Sequence, residues 1–130
     1  MIWIDASFAI EWLVGSKRAE SISLRGQQLG ILPMQYLETL VFFQKRMKDS
    51  ALITEQLDSL ELRHPTTAQL HHAAYLYVQA RHQKNSKASL ADALMAAVAR
   101  DTNDAIASFD LDLKHLGLTL ENGLWHPVHG

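Results

Sequence analysis

The amino-acid sequence predicts an α/β domain, a three-layer α/β/α sandwich around a central, mainly parallel sheet of four to five strands. Short apolar runs suited to buried strands recur along the chain, and longer segments with apolar residues at helical spacing separate them. Such alternation favours parallel strands with helices on both faces of the sheet. The length of 130 residues, 48% of them hydrophobic, suits one domain over residues 1–130.

The elements of the first half follow from apolar runs and from the residues that interrupt them. The predicted strands are 2–4, an unbroken apolar run, and 31–32, which Pro33 closes. The predicted helices are 7–14, which Gly15 ends, and 17–29, a surface helix that Gly30 stops, followed by 35–48 and 50–60, which carry apolar stripes without breakers.

The second half repeats the alternation. A short strand is predicted at 61–64, before Pro65, and helices at 66–81 and 89–100, which carry the 3.6-residue apolar stripe. Strands follow at 105–109 and 118–120, with a short turn or helix beginning at Asp110 between them. The tail from 121 to 130 shows no clear periodicity.

Composition excludes several kinds of site and limits others. The chain has no cysteine, which excludes disulfides and thiolate zinc sites. Because no secretory pattern opens the sequence and no apolar run approaches the roughly 20 residues of a membrane helix, we expect a cytoplasmic protein without membrane contact. With 12 basic and 14 acidic residues, RNA binding would need a local basic patch, bound cations or a partner protein.

Four carboxylates occupy positions that the predicted fold would bring together. Asp5 and Asp110 directly follow predicted strands, and Glu38 and Asp92 lie among apolar residues early in two helices. Sites in parallel sheets gather beyond the carboxyl ends of the strands. Clustered carboxylates repel one another, and a divalent cation with a preference for oxygen ligands, Mg²⁺ or Mn²⁺, would relieve that repulsion. The chemistry indicated is metal-assisted hydrolysis of phosphodiesters.

Each acid also has a purely structural interpretation. Asp5 and Asp110 could cap the helical segments that follow them, and Ser89 with Asp92 matches a capping box. Glu38 could be a surface residue at the edge of an apolar stripe. The joint arrangement favours a site, because capping does not require carboxylates at two strand ends and inside two apolar helices.

Four segments of the chain resemble the PIN domain, particularly the VapC-type toxins of bacterial toxin–antitoxin pairs. They are Ile-Asp-Ala-Ser-Phe-Ala-Ile at 4–10, Leu32-Pro33 through Leu40, Ser-Leu-Ala-Asp-Ala-Leu-Met-Ala-Ala at 89–97, and Ser-Phe-Asp-Leu-Asp-Leu at 108–113. The resemblance runs from Met1 to about Leu120 and places the four acids of the family at Asp5, Glu38, Asp92 and Asp110. Ser108 replaces the commoner Thr, and Leu113 the usual Phe.

This resemblance implies an Mg²⁺- or Mn²⁺-dependent endoribonuclease that cleaves RNA by in-line attack of water, without the RNA 2′-hydroxyl as nucleophile. The four acids would hold the metal directly or through water. Ser7 and Ser108 would orient carboxylates, and Asp112 would assist by contacting the residues that hold the metal. The resemblance also implies a homodimer and a cognate antitoxin protein whose tail occupies the acidic groove.

Basic residues near the predicted site are candidates for phosphate contacts. Lys45, Arg46 and Lys48 follow Glu38 on one helix, and Lys84 and Lys87 precede the helix that carries Asp92. Each group also fits an ordinary solvated surface. We expect the aromatic residues, among them Phe42, to be core or interface residues rather than platforms for bases.

Two other functions fit parts of the sequence. A receiver-type phosphoacceptor domain is another small α/β fold with clustered acids, but the middle of this chain has no Asp that ends an apolar strand. A non-catalytic module that retains the fold and the metal pocket, and that binds a partner protein through its apolar helices, is the second alternative. A ribonuclease assay with and without EDTA separates this module from the nuclease.

Overall fold

The computed structural model describes residues 1–46 and 50–128. In chain order its strands and helices are β1 (Ile2–Ile4), α1 (Ala6–Leu13), α2 (Lys17–Glu20), β2 (Leu29–Ile31), α3 (Pro33–Lys45), α4 (Ser50–Leu57), β3 (Glu61–Leu62), α5 (Thr67–Arg81), α6 (Leu90–Thr102), β4 (Ala105–Ala107), a 3₁₀ helix (Leu111–Leu116), β5 (Leu118–Glu121) and β6 (Leu124–Pro127).

The described strands form one sheet in the order β3-β2-β1-β4-β6-β5. The first four are parallel, and β6 joins β4 antiparallel, with β5 completing a hairpin at the edge. This arrangement confirms the α/β class and the mainly parallel sheet. The strand count is higher than the four to five expected, because the tail contributes β6.

Two apolar cores, one on each face of the sheet, make the molecule three-layered. Side chains alternate along a strand, so Trp3 of β1 packs with α5 and α6, whereas Ile2 and Ile4 pack with α1 to α4. The β4 strand divides in the same way, with Ile106 on the first face and Ala107 on the second. The helices therefore cover both faces, as the alternating sequence predicts.

The predicted helix over 17–29 is wrong beyond Glu20. Only four residues form α2, and the chain then crosses the surface through Gly26, whose φ is +75°, before entering β2. Gly30 does not stop a helix but lies inside β2, where a Cβ atom would stand 2.9 Å from the Trp3 ring. The absence of a side chain at Gly30 lets that ring lie against the strand.

The longer helices begin where their capping residues predict. Thr66 with Gln69 and Ser89 with Asp92 form complete capping boxes at the starts of α5 and α6. The described part of α3 ends at Lys45, and Lys48, at the end of the predicted helix, lies outside the described residues. No helix in residues 1–46 or 50–128 is long and apolar enough to cross a membrane.

Candidate metal-dependent active site

The carboxyl ends of β1 and β4 meet at one edge of the sheet. These strands are parallel neighbours with Ile4 opposite Ala107, and the Asp5 amide donates to the Ala107 carbonyl at 3.1 Å. The next strand along the chain, β2, pairs with β1 on its other side, so the order of the strands in the sheet reverses between β1 and β4. Residues that follow the two strands are thereby brought to the position where open α/β sheets place their sites.

Asp5 is buried and held by two serine hydroxyls. Ser108 Oγ donates to Asp5 Oδ2 at 2.7 Å and Ser7 Oγ donates to the same oxygen at 3.0 Å. Burial raises the pKa of Asp5, and the two hydroxyls partly offset this effect because they stabilise the anion. The charge of Asp110 raises the Asp5 pKa further. Within the described residues the Asp5 side chain does not cap α1, so the capping interpretation fails for this acid.

Asp92 lies at the start of α6, where it both caps the helix and faces the other acids. Its Oδ2 accepts from the Ser89 amide at 3.1 Å, which completes the capping box. Burial raises the pKa of Asp92 to about 7, with further contributions from the charges of Asp110 and Asp5. The capping interpretation is therefore correct but incomplete, because capping alone favours the anion and would lower the pKa.

Asp110 follows β4 by three residues and begins the 3₁₀ helix. Its Oδ1 accepts from the Asp112 amide at 2.9 Å, and its own amide donates to Ser108 Oγ at 3.0 Å. The expected cap is thus present. Asp110 is also the neighbour whose charge raises the pKa values of both Asp5 and Asp92.

Glu38 is the most exposed of the four acids and projects from α3. Partial burial raises its pKa, and so does the charge of Asp5. The four acids come from four separate segments, and their charges repel one another. The charge of Asp5 raises the pKa of Glu38, that of Asp110 raises the pKa of Asp5, and both aspartates raise the pKa of Asp92. The structure brings the four predicted acids together.

These acids fit a hydrated ion better than a closed cage of protein ligands. In residues 1–46 and 50–128, no three Asp, Glu or His side chains form a group that could hold a metal ion as they lie. The donors are nevertheless the hard carboxylate oxygens that suit Mg²⁺ or Mn²⁺. Mg²⁺ usually keeps several waters and uses one or two carboxylates, so an ion bridged by water suits this arrangement.

The predicted supporting residues differ in what they touch. Ser7 and Ser108 both bind Asp5 and lie 3.2 Å from each other, so they are placed to orient that carboxylate. The Asp112 carboxylate instead accepts from the Lys87 amide at 3.2 Å and lies 4.0 Å from His115 Nε2. Within residues 1–46 and 50–128, Asp112 contacts the acids through its backbone amide, which binds Asp110, while its side chain points toward the α5–α6 loop.

The predicted cations fall into two places. Lys45 and Arg46 line a groove together with Ser7 and Glu38, next to the acids. Lys84 and Lys87 are exposed in the loop between α5 and α6, and the Lys87 amide ties that loop to Asp112.

Gln35 is a buried residue near the site that the sequence interpretation missed. Its Nε2 donates to the Ala91 carbonyl at 3.1 Å and so links α3, which carries Glu38, to α6, which carries Asp92. Its Oε1 has no hydrogen-bond partner in the described part of the chain. The signal was its position three residues before Glu38, one helical turn away, among apolar residues.

Comparisons with known proteins identify the family and the fold. A family model described as PIN domain matches residues 2–118. A search of curated proteins found no match. Among solved structures, VapC20 of Mycobacterium tuberculosis, described as a Sarcin-Ricin loop cleaving toxin, is 21% identical with a TM-score of 0.71, and the match covers 94% of this chain and 99% of that one.

A second structure, described as a toxin–antitoxin complex from Klebsiella pneumoniae, is 15% identical with a TM-score of 0.69, over 85% of this chain and 87% of the other. At these identities the two structures show a shared fold. The family match spans nearly the whole chain and sets aside the receiver-type alternative. The chain belongs to the PIN domain family.

Proposed function

We propose that this PIN domain is an endoribonuclease that depends on Mg²⁺ or Mn²⁺ and is the toxin of a toxin–antitoxin pair. The observation that carries the proposal is the convergence of Asp5, Glu38, Asp92 and Asp110 at one sheet edge, where burial and mutual repulsion raise the pKa values of the first three. Such a cluster favours a bound cation.

The hydrogen bonds of the three aspartates support the roles that we propose for the acids. Ser7 and Ser108 fix Oδ2 of Asp5, the Ser89 amide fixes Oδ2 of Asp92, and the Asp112 amide fixes Oδ1 of Asp110. We assign the second oxygen of each carboxylate, and the more exposed Glu38, to the ion or its waters. When bound, the ion lowers the pKa of water and stabilises negative charge on the phosphodiester. The cations of Lys45 and Arg46 hold neighbouring phosphates.

The partners proposed are RNA, an antitoxin protein and a second copy of this chain. The toxin–antitoxin description of the Klebsiella structure supports an antitoxin, and the likeness to a toxin described as Sarcin-Ricin loop cleaving supports RNA. An apolar surface on α3, α5 and α6, with Met34, Leu70 and Leu90 about half exposed or more, supports a homodimer. A cytoplasmic location belongs to the proposal because a toxin of this kind would meet its RNA there.

The test is RNA cleavage by the purified protein with Mg²⁺, with EDTA, and after Asp5→Asn. We expect cleavage with Mg²⁺, none with EDTA, and a loss of about a hundred-fold or more in Asp5→Asn, because the charge beside the ion is removed. The matched control is Asp58→Asn, since Asp58 is exposed and accepts a hydrogen bond from Tyr36 away from the four acids. The cleavage assay is repeated with Mn²⁺. Wild-type protein that leaves RNA intact with both Mg²⁺ and Mn²⁺ would contradict the proposal and favour the non-catalytic module.

A further inference from the structure

Two of the four acids lie on helices from opposite layers of the molecule. Glu38 lies on α3, whose Phe43 packs into the core on one face of the sheet, and α6, which carries Asp92, packs Val98 into the core on the other face. The first turns of the two helices approach each other and line one pocket together with α5. Because the sheet separates α3 from α6 elsewhere, contacts between these first turns set the distance between Glu38 and Asp92.

Gln35 makes a hydrogen bond between these first turns. Its side chain is fully buried, and its Nε2 donates to the Ala91 carbonyl at 3.1 Å. That carbonyl belongs to the same peptide unit as the Asp92 amide, which donates to Ser89 Oγ at 3.0 Å. Since a peptide unit is planar, hydrogen bonds at both of its ends fix the position of the Asp92 Cα atom.

The same residue is joined to the neighbour of Glu38. Thr39 is fully buried, and its Oγ1 donates to the Gln35 carbonyl at 2.8 Å. Glu38 lies three residues after Gln35 on α3, so the two side chains are neighbours on one side of the helix. Gln35 therefore connects the backbone that carries Glu38 to the backbone that carries Asp92.

Packing alone does not explain a glutamine at this position. Within residues 1–46 and 50–128, Gln35 Oε1 has no hydrogen-bond partner. A buried acceptor without a partner destabilises a fold, whereas an apolar side chain of the same shape is neutral or stabilising. Methionine is unbranched and about as long as glutamine, and the Ala91 carbonyl would keep its place in the hydrogen-bond pattern of α6. A polar side chain that weakens the fold points to a role in the adjacent site.

We propose that Gln35 is a positioning residue that sets the distance between Glu38 and Asp92, so that both carboxylates act on one cation. This inference rests on the proposed metal-dependent function and adds a residue to that site. Replacing a residue that holds metal-binding side chains in place commonly lowers metal affinity by about ten-fold or more. Without this hydrogen bond α3 and α6 can separate at their first turns, and the acids bind the ion more weakly while the fold is retained.

The experiment compares Gln35→Met with Gln69→Met by calorimetric titration of Mg²⁺ and by urea denaturation. Gln69 is the matched control because it is also buried, and its Nε2 donates to Asp101 Oδ2 at 2.9 Å, at the other end of α6 from Asp92. Gln69 also completes the capping box of α5. We expect Gln35→Met to bind Mg²⁺ about ten-fold more weakly, with an unchanged or higher urea midpoint. We expect Gln69→Met to bind Mg²⁺ like wild type, with a lower midpoint.

The outcomes separate failure of this inference from failure of the proposed function. Wild-type protein that binds Mg²⁺, with equal affinity in Gln35→Met, would overturn the positioning role and leave the metal site in place. A Gln35→Met chain that does not fold, or whose urea midpoint falls as far as that of Gln69→Met, would assign Gln35 to the fold and overturn the role too. Wild-type protein that neither binds Mg²⁺ nor cleaves RNA would overturn both proposals. RNA cleavage by Gln35→Met that approaches the wild-type rate as Mg²⁺ is raised supports the positioning role.

Discussion

At the residue scale, Ser108 is the side chain whose hydroxyl forms hydrogen bonds with two of the four acids, Asp5 and Asp110. It is buried, donates to Asp5 Oδ2 at 2.7 Å, and accepts from the Asp110 amide at 3.0 Å. Its hydroxyl offsets part of the cost of burying Asp5 as an anion. The resemblance to PIN domains implied this role for Ser108. In the structure Ser108 directly follows β4, and its hydroxyl reaches the carboxylate at the end of the neighbouring strand β1.

Replacing Ser108 by Ala should lower the cleavage rate or metal affinity by about ten- to a hundred-fold and cost about 1 kcal/mol of folding stability, since a buried carboxylate loses a donor. Ser108→Thr keeps the hydroxyl and should retain most of the activity. Cleavage kinetics and urea denaturation measure the two effects. Equal loss of activity in the Ala and Thr variants would show that packing, and not the hydrogen bond, is what matters at this position.

The raised pKa of Asp92 predicts how stability changes with pH in the absence of metal. Burial moves this pKa from the ordinary 3.8 to about 7, so the folded protein holds a proton that the unfolded chain releases. The contribution of this bound proton to the free energy of unfolding is fully present below about pH 4 and is lost as the pH rises through about 7. The metal-free Tm should therefore fall between about pH 5 and pH 8, by about 5 °C.

Two further Tm measurements test whether the ionisation of Asp92 causes this fall in Tm. Asp92→Asn, which keeps an acceptor for the Ser89 amide but cannot ionise, should flatten the decline. Mg²⁺ should raise the Tm more at pH 8 than at pH 5, because the cation binds the ionised acids. A metal-free Tm that rises across this range would contradict the assignment of the buried proton.

At the element scale, local signals predicted the helices better than the sheet. The capping boxes at Thr66 and Ser89 mark where α5 and α6 begin, because their hydrogen bonds lie within four residues. The sheet order depends on pairing between distant strands, so no local pattern places β4 beside β1. The helix predicted over 17–29 failed because its apolar residues, Ile22 and Leu24 among them, serve packing of a loop rather than a helical face.

The strand β6 had a local signal that periodicity did not reveal. Asn122 and Gly123 form the turn between β5 and β6, with φ of +53° and +82°. Asn-Gly at two successive positive φ values is the preferred two-residue hairpin turn. The mixed polar and apolar residues of β6 obscured the alternation, whereas the turn residues alone indicate a hairpin at the edge of the sheet.

Gly123→Ala should destabilise the protein by about 1–2 kcal/mol, because an alanine at positive φ is strained and its Cβ would stand 3.0 Å from Ile22 Cγ1. Gly26→Ala is the matched control: φ there is +75° with no atom within 4 Å of the added Cβ. Denaturant unfolding should show a larger loss at Gly123 than at Gly26. Equal losses would show that backbone strain alone decides the effect and that the Ile22 contact contributes nothing.

At the scale of the whole molecule, the site exists only because the fold assembles it. Asp5 follows β1, Glu38 lies on α3, Asp92 on α6 and Asp110 after β4, and more than 100 residues separate the first acid from the last. The sequence could predict which acids meet, since two follow strands and two interrupt apolar stripes. It could not predict that Asp112 turns away or that Gln35 links α3 to α6, because these depend on side-chain packing.

The most direct test of this assembly is calorimetric titration of Mg²⁺ at about pH 8 into wild-type protein, the four single amide variants Asp5→Asn, Glu38→Gln, Asp92→Asn and Asp110→Asn, and the Asp58→Asn control. If the four carboxylates share one cation, wild type and control bind it alike, and each of the four variants binds it measurably more weakly. Binding that is absent from wild-type protein, or that is unchanged in all four variants, would contradict the shared site.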